Sequence, residues 1–351
     1  MRRGSHLKPK NRFETAHAEP DYEHLEWDAE PLKEAERRPA EYLPDIARTI
    51  VTKNDSPDVP FNYSINPYRG CLHGCSYCYA RPNHEYIGLN AGIDFETKIF
   101  VKHDAPALFR EFLAKKSWKP EPITFSGVTD CFQPCERKFR LTRGCLEVAN
   151  ECNVPIGIVT KNALVLRDLP ILKEMSAKNC AHVFLSLTTL DAALARSMEP
   201  CTSVPAARLR AIQMLRDAGV PVGVLVAPVI PGINDSEIPA LIKAAKDAGA
   251  EEIGYVLLRL PHTVQPVFQE WLHREQPLKA EKVEGLLREV RGGKLYQANW
   301  QDRMVGRGTV AKQIHDLFTT FRDKIGFDGL PKYDTSQFRA PTGIDGQLTL
   351  F

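Results

Sequence analysis

Between residues 61 and 260 the chain alternates short β-branched runs with longer amphipathic stretches, and this alternation limits the fold more than any other feature. Short runs rich in valine and isoleucine are typical of buried strands, whereas apolar residues recurring every three or four positions predict helices. Strands that alternate with helices of this length form parallel βαβ units. The predicted strands are Tyr63–Asn66, Ile123–Gly127, Ile156–Thr160, His182–Leu187, Val222–Ala227 and Glu252–Leu258, and the predicted helices are Pro106–Lys115, Arg143–Glu151, Arg167–Ala177, Pro205–Ala218 and Ser236–Ala248.

Six strands in this order favour an α/β fold, a partial (β/α)6 TIM-type barrel with an N-terminal arm and a helical C-terminal extension. An open doubly wound sheet is the alternative. Gly219 and Gly249 each stand between a predicted helix and a predicted strand, where glycine commonly ends a helix. In a parallel barrel the loops after the strands face the active site, so these loops are the place to look for functional residues.

The sequence divides into three regions. Residues 1–60 are rich in charge and proline and predict an N-terminal arm that is partly disordered or wraps the core. Residues 61–260 form the predicted barrel. Residues 261–351 form the predicted C-terminal extension, with helical apolar faces in 281–291 and 310–321 and a final tail that runs over the surface or caps the mouth of the barrel.

Three cysteines lie close together in the loop after the first predicted strand, in the sequence Cys71-Leu72-His73-Gly74-Cys75-Ser76-Tyr77-Cys78. Three thiolates can hold a [4Fe–4S] cluster and leave one iron open to a substrate or cofactor. A structural zinc site is the alternative, but it normally takes four protein ligands in paired short spacings. No second pair of that kind accompanies this loop, so the spacing predicts an iron–sulfur cluster.

This cysteine loop resembles that of the radical S-adenosylmethionine (SAM) superfamily. Further segments between residues 66 and 260 resemble its spore photoproduct lyase-like branch, often described as DNA-repair-photolyase-like. The cysteine loop is specific for the superfamily, whereas the other segments are informative only together. They are residues 66–71, Thr129-Asp130, Gln133-Pro134 with Glu136, Thr160-Lys161, Arg167-Asp168, Glu199-Pro200, Arg208-Leu209 and residues 227–235.

The resemblance implies that a [4Fe–4S] cluster binds SAM through its amino and carboxylate groups. One electron from the cluster then cleaves SAM to methionine and a 5′-deoxyadenosyl radical, which takes a hydrogen atom from the substrate. The protein supplies orientation and electrostatics, because the cofactor carries the difficult chemistry. The implied cluster ligands are Cys71, Cys75 and Cys78, and the implied SAM contacts are Tyr77 beside the adenine, Thr129 and Asp130 at the methionine amino group, Lys161 at its carboxylate, Ser186 against the cofactor and Asn234 on the adenosine side.

Five of the six implied SAM contacts also have an ordinary alternative role. Tyr77 can be a packing anchor, and Lys161 can be a solvated surface residue. Thr129 and Asp130 suit a cap or a turn, and Ser186 can bond only to backbone.

One departure separates this chain from the lyase. Gly127 stands where the lyase carries its hydrogen-donating cysteine. Cys131 is the candidate catalytic replacement, with Cys135 beside it, although buried cysteines commonly act as small apolar residues. We therefore expect the chain not to be a spore photoproduct lyase in the strict sense.

The amino-acid composition limits the classes of molecule that this chain can be expected to bind. The net charge of +2 over 351 residues carries no general nucleic-acid signature, so a polyanion contact must be local. Six basic residues of the C-terminal region suggest phosphate contacts, but acidic neighbours favour a solvated face. These basic residues are Arg288, Arg291, Lys294, Arg303, Arg307 and Lys312.

No apolar run reaches the roughly 20 residues that span a bilayer, and the basic start leads into no apolar stretch of a secretory signal. With nine scattered cysteines, we expect a cytoplasmic protein without a membrane partner. The resemblance makes nucleic acid the first substrate class to consider, and a peptide or small metabolite is the alternative. A third hypothesis is that the chain is a non-catalytic iron–sulfur protein. Reductive chemistry also requires a one-electron donor such as flavodoxin or ferredoxin. The sequence leaves the oligomeric state open.

Overall fold

A computed structural model describes residues 4–13 and 39–341. The described residues form ten strands, most of them short. The strands are β1 (Glu41–Pro44), β2 (Val51–Lys53), β3 (Tyr63–Ile65), β4 (Tyr68–Arg69), β5 (Lys98–Val101), β6 (Ile123–Phe125), β7 (Ile156–Thr160), β8 (Ala181–Ser186), β9 (Val222–Val229) and β10 (Glu252–Leu257).

The larger sheet contains seven strands in the order β10-β9-β8-β7-β6-β3-β2. Six of its strands are parallel and lie in chain order: β3, β6, β7, β8, β9 and β10. Only β2 is antiparallel. One register row places fully buried residues side by side across five strands: Ile65, Phe125, Ile158, Val183 and Val222. The order shows no reversal of the kind that defines a doubly wound sheet. Since β10 does not pair with β2 or β3 among the described residues, the barrel is partial, and the predicted fold class is confirmed.

Helices separate the parallel strands as predicted. Gly219 (φ +79°) and Gly249 (φ +93°) follow two of these helices with the left-handed backbone that glycine adopts without strain. The helices are α1 (Ile93–Thr97), α2 (Ala105–Leu113), α3 (Glu136–Phe139), α4 (Leu141–Cys152), α5 (Leu169–Ser176), α6 (Ala192–Met198), α7 (Pro205–Asp217), α8 (Ile238–Asp247), α9 (Val264–Glu275), α10 (Ala280–Val290) and α11 (Gly308–Ile325).

Helix α9 was not predicted from the sequence. It buries Phe268 and Trp271 in a second apolar cluster that also contains Cys75 and Tyr77 of the cysteine loop. The extension therefore packs directly on the loop that the barrel presents.

The described part of the N-terminal region also packs near the cysteine loop. A small sheet pairs β1 parallel to β5 and β5 antiparallel to β4, next to the start of the cysteine loop. Phe13 packs on Tyr86 with ring centroids 5.1 Å apart. The rest of the predicted arm, residues 14–38, lies outside the described residues.

The described part of the C-terminal tail lies at the amino-terminal ends of the strands. Tyr333 stacks on His182 with centroids 3.9 Å apart, and its hydroxyl donates to the Ile156 carbonyl at 3.2 Å. The Arg339 N–H donates to the Cys152 carbonyl at 2.8 Å. Of the two alternatives predicted for the tail, these residues follow the path over the surface and not the cap on the mouth, because they cover the opposite end of the sheet.

Candidate functional site

The three cysteines lie on a buried loop at the carboxyl edge of the parallel sheet. Two turns shape it: the Gly74 N–H donates to the Cys71 carbonyl at 3.4 Å, and the Cys78 N–H donates to the Cys75 carbonyl at 3.3 Å. Burial raises the pKa of the Cys71 thiol well above its ordinary value, and Asp130, Cys78 and Cys75 are near enough to raise it further. Cys78 packs against both the apolar cluster that contains Cys75 and the one that contains Cys71, which brings the three cysteines together.

The donor set of this loop fits an iron–sulfur cluster. Each cysteine of such a site binds a different iron, so its thiols are neighbours without sharing one metal ion. In residues 4–13 and 39–341 no three His, Cys, Asp or Glu side chains converge on a single-ion site. Ser76, inside the loop, has a fully buried hydroxyl without a hydrogen-bond partner in that same part of the chain.

Gln133 holds the loop on both sides of Cys71. Its Oε1 accepts the Leu72 N–H at 2.9 Å, and its Nε2 donates to the Gly70 carbonyl at 3.0 Å. The side chain is fully buried, so this pair of bonds is shielded from water. Gln133 therefore fixes the backbone that carries the first cysteine.

An ion pair without solvent exposure holds the other side of the loop. The Arg81 guanidinium donates to the Cys75 carbonyl from Nε (3.0 Å) and Nη2 (2.7 Å) and pairs with Glu96. Glu96 also accepts the backbone N–H groups of Gly4 (2.9 Å) and Ser5 (2.8 Å). The N-terminal segment is thereby tied to the cysteine loop.

Asp130 follows β6 and joins it to the end of β7. Its Oδ1 accepts the Thr160 hydroxyl at 2.8 Å, and its Oδ2 accepts the Lys161 N–H at 2.8 Å. The His73 Nδ1 lies 3.4 Å from Oδ2. Asp130 therefore connects two strand ends to the cysteine loop.

Lys161 lies beside the aromatic residue of the cysteine loop. Its ammonium group is 5.9 Å from the centroid of the Tyr77 ring and donates to the Ala227 carbonyl at 2.9 Å. The Tyr77 hydroxyl donates to Glu199, which forms a buried ion pair with Arg208. Burial alone would raise the pKa of Glu199, but Arg208 and then Lys161 outweigh it and lower the pKa. The pair stays charged and anchors Tyr77.

Two of the predicted SAM contacts, Thr129 and Asn234, form side-chain hydrogen bonds with backbone groups. The Thr129 hydroxyl donates to the Tyr68 carbonyl at 2.8 Å. The Asn234 amide accepts the Ile230 N–H at 2.6 Å and donates to the Thr188 carbonyl at 2.8 Å. Ser186, at the end of β8, is buried. All three lie at or just beyond strand ends, where the prediction placed them, and their contact with SAM stays a prediction.

Cys131 and Gly127 occupy very different surroundings. Cys131 is fully buried in the main apolar core, so its role as a hydrogen donor stays a prediction that requires access to that core. Cys135 lies in the same core. A Cβ atom built on Gly127 would lie 2.6 Å from the Cβ of Ser64, closer than real Cβ atoms approach. The position that the resemblance aligns with the lyase cysteine therefore has no room for a side chain unless Ser64 moves.

A model of the radical SAM superfamily matches residues 65–245. The chain belongs to the radical SAM superfamily. Relatives include an uncharacterized protein of Mycobacterium tuberculosis (strain H37Rv), 37% identical over 221 residues that make up 62% of this chain and 65% of the relative. An uncharacterized protein of Methanocaldococcus jannaschii is 30% identical over 175 residues, 50% of this chain and 63% of that relative. The chain thus matches less than two thirds of the length of either relative.

Solved structures of spore photoproduct lyase share the fold of this radical SAM chain. The lyase complexed with dinucleoside spore photoproduct gives a TM-score of 0.56 at 16% identity, covering 81% of this chain and 79% of that chain. A mutant of the same lyase gives a TM-score of 0.58 at 17% identity, covering 82% and 80%. These matches confirm the architecture predicted from the strand order. The match to the family model confirms the superfamily predicted from the cysteine loop.

Sequence reasoning assigned no role to several residues that build the site of this radical SAM protein. Gln133, Glu199 and Arg208 belong to segments that carried the resemblance, and that was the available signal. The sequence around Arg81 and Glu96 carried no such signal, because nothing in it shows that both side chains are buried.

The basic residues of the C-terminal region are mostly engaged within the protein. Arg303 pairs with Asp58, and Lys312 pairs with Asp316 at 2.6 Å. Arg291 is 1% exposed and donates to main-chain carbonyls. This stretch therefore does not present a continuous phosphate-binding face. Among the described residues, no helix combines the length and apolar character needed to cross a membrane.

Proposed function

We propose that this chain is an enzyme that cleaves SAM reductively at a [4Fe–4S] cluster held by Cys71, Cys75 and Cys78, and then takes a hydrogen atom from a nucleic-acid substrate. The observation that carries the proposal is the buried cysteine loop, held on both sides at the carboxyl edge of a six-stranded parallel arrangement. Ligands of parallel α/β folds bind at this edge.

With cluster and SAM bound, the chemistry supplied is one-electron cleavage of SAM to methionine and a 5′-deoxyadenosyl radical. The protein's part is to orient the methionine moiety through fixed charges. Lys161 offers a cation for the carboxylate, and Asp130 offers an anion near the amino group. The bond from the Lys161 N–H to Asp130 holds the two residues at a constant separation, which lowers the entropic cost of orienting a zwitterion.

Tyr77 is the proposed residue beside the adenine, and its hydroxyl bond to Glu199, which fixes the ring, supports this role. The Glu199–Arg208 pair is inaccessible to water, which keeps this interaction strong. Thr129, Ser186 and Asn234 complete the proposed SAM surface from the strand ends, Thr129 and Asn234 with their side chains oriented by the backbone bonds described above.

Nucleic acid is the first substrate class to test. The chain shares its fold with a lyase solved in complex with a dinucleoside photoproduct. A peptide or small metabolite is the alternative, which weak dependence of binding on salt would favour. We do not propose strict photoproduct lyase activity, because Gly127 cannot carry the donor thiol. A one-electron donor such as flavodoxin or ferredoxin is the proposed redox partner.

Anaerobic reconstitution tests the proposal. We expect about four irons and four sulfides per chain and slow formation of 5′-deoxyadenosine from SAM with dithionite as reductant. Replacing Cys71, Cys75 or Cys78 by Ala should abolish the cluster. Cys180→Ala is the matched control, because Cys180 is a buried thiol at the opposite end of the sheet. Full iron loading of the triple Ala variant would disprove the ligand assignment.

A further inference from the structure

Arg259 lies just beyond β10, on the rim of the site. Its guanidinium carbon is 5.3 Å from the centroid of the Tyr79 ring. Tyr79 follows the last cluster cysteine, is 45% exposed, and donates its hydroxyl to the Gly127 carbonyl at 2.9 Å. Arg259 therefore contacts the end of the cysteine loop through Tyr79, and Tyr79 in turn bonds to the segment that follows β6.

Within the described part of the chain, the charge of Arg259 has no ion-pair partner. Its Nη1 donates to the Met304 sulfur at 3.5 Å, and a thioether is a weak acceptor. Its Nε is buried without a hydrogen-bond partner among the same residues. An arginine with five donors is thus held at the rim with most of its hydrogen-bonding capacity unused.

A second arginine behind it adds to the positive charge. Arg291 donates to the carbonyls of Leu258 (2.6 Å) and Asp302 (2.8 Å), and its Nε also lacks a partner among the described residues. Burial, and next the neighbouring Arg259, lower the pKa of Arg291 to about 10. The nearby carboxylate of Asp58 is already bound by Arg303. Desolvated cations with weak or neutral partners favour an incoming anion.

We infer that Arg259 binds a phosphate group of a nucleic-acid substrate, with the exposed ring of Tyr79 as the surface against which a base packs. The inference rests on the proposed function and specifies the substrate group that its site recognises. A guanidinium matches two phosphate oxygens at once, and aromatic rings stack on bases of any sequence. One cation and one aromatic ring on the rim would hold a backbone phosphate and its base beside the reacting centre.

The test uses full-length, anaerobically reconstituted protein with SAM and a short fluorescein-labelled oligothymidylate, followed by anisotropy over a series of salt concentrations. Arg259→Gln should weaken binding about tenfold. It should also lower the slope of log affinity against log salt by about 0.7, as expected for one lost contact to single-stranded phosphate. Arg259→Lys should keep that slope and lose part of the affinity, because the charge stays and the planar fork does not.

Arg288→Gln is the matched control. Arg288 is an exposed arginine of α10 that pairs with Glu284 at 3.0 Å, and its replacement should leave affinity and slope unchanged. Absence of oligothymidylate binding by the wild type, equal binding by Arg259→Gln, or preference for an acidic peptide of matched charge would overturn the inference.

SAM cleavage by the wild type, measured separately, distinguishes the two proposals. Cleavage combined with unchanged binding by Arg259→Gln would leave the proposed function standing and remove the phosphate contact. Binding through Arg259 without any SAM cleavage would keep the phosphate contact and remove the proposed function.

Discussion

Replacing Glu96 by Gln tests how the cysteine loop is held. Glu96 and Arg81 both have side chains with 0% exposure, and Glu96 also accepts the N–H groups of Gly4 and Ser5. Gln keeps the size of the side chain but removes the charge that compensates the guanidinium. Breaking a buried pair in this way costs about 3–5 kcal/mol. Typical folded proteins are stable by only about 5–15 kcal/mol, so the loss is large.

The assay is thermal unfolding of the anaerobic apoprotein. At roughly 2 °C per kcal/mol for a chain of this size, the midpoint should fall by about 6 °C or more. Because Arg81 also holds the Cys75 carbonyl, the reconstituted variant should lose iron to a chelator faster than the wild type. The double variant Arg81→Met with Glu96→Leu should recover part of the stability, since it leaves no unpaired charge.

Glu151→Gln is the control for this experiment. Glu151 pairs with Arg110 at 2.5 Å on the surface, where its side chain is 46% exposed. Such pairs contribute less than about 1 kcal/mol, so the unfolding midpoint should barely move. If Glu96→Gln unfolds at the same temperature as Glu151→Gln, the argument that this ion pair holds the loop is wrong.

Three further predictions concern other parts of the molecule. Asp130→Asn and Lys161→Ala should each weaken SAM binding about tenfold in anaerobic equilibrium dialysis, because each removes a charge facing one end of the methionine zwitterion; unchanged binding of both would contradict the assignments. Gly127→Cys should lower stability by about 1–3 kcal/mol in denaturant titration without giving photoproduct repair, because its Cβ overlaps Ser64; a stable, repairing variant would contradict this. Burial lowers the pKa of His182 from 6.5 to about 4. Its contribution to stability is therefore complete above pH 6.5 and is lost as the pH falls toward 4, by about 1.4 kcal/mol per pH unit within that window. His182→Phe should remove this slope from the pH dependence of unfolding, and an unchanged slope would show that another group is responsible.

The barrel could be predicted from the sequence because its strands are dense runs of valine and isoleucine and because glycines mark the ends of the helices between them. β9 (Val222–Val229) is the plainest example. The small sheet of β1, β4 and β5 could not be predicted from the sequence, since each strand is short and its partner lies far away in the sequence. Helix α9 was missed because Pro266 and several polar residues obscure its apolar face in the sequence.

The candidate site divides in the same way. The cysteines could be found by spacing, because ligand geometry is local. The Arg81–Glu96 pair could not, because charged residues on the surface and in the interior are of the same types. Glu199 and Arg208 lie in segments that carried the resemblance, but nothing in the sequence showed that they pair. Whether a charged side chain becomes buried depends on contacts with segments that are distant in the sequence.

The tail that covers the amino-terminal end of the sheet also sets an order of assembly during synthesis. Its bonds reach far back along the chain: the Asn153 side chain donates to the Gln337 carbonyl across 184 residues. The groups that hold the cysteine loop, including the apolar cluster to which α9 contributes, all precede residue 300, so a growing chain possesses them before residues 333–339 of its tail leave the ribosome. Since chains fold from the N-terminus as they emerge, we expect the cysteine loop to be ordered while the base of the barrel is still open to water. Limited proteolysis of ribosome-stalled chains would show this as early protection of the loop and late protection of residues around Ile156.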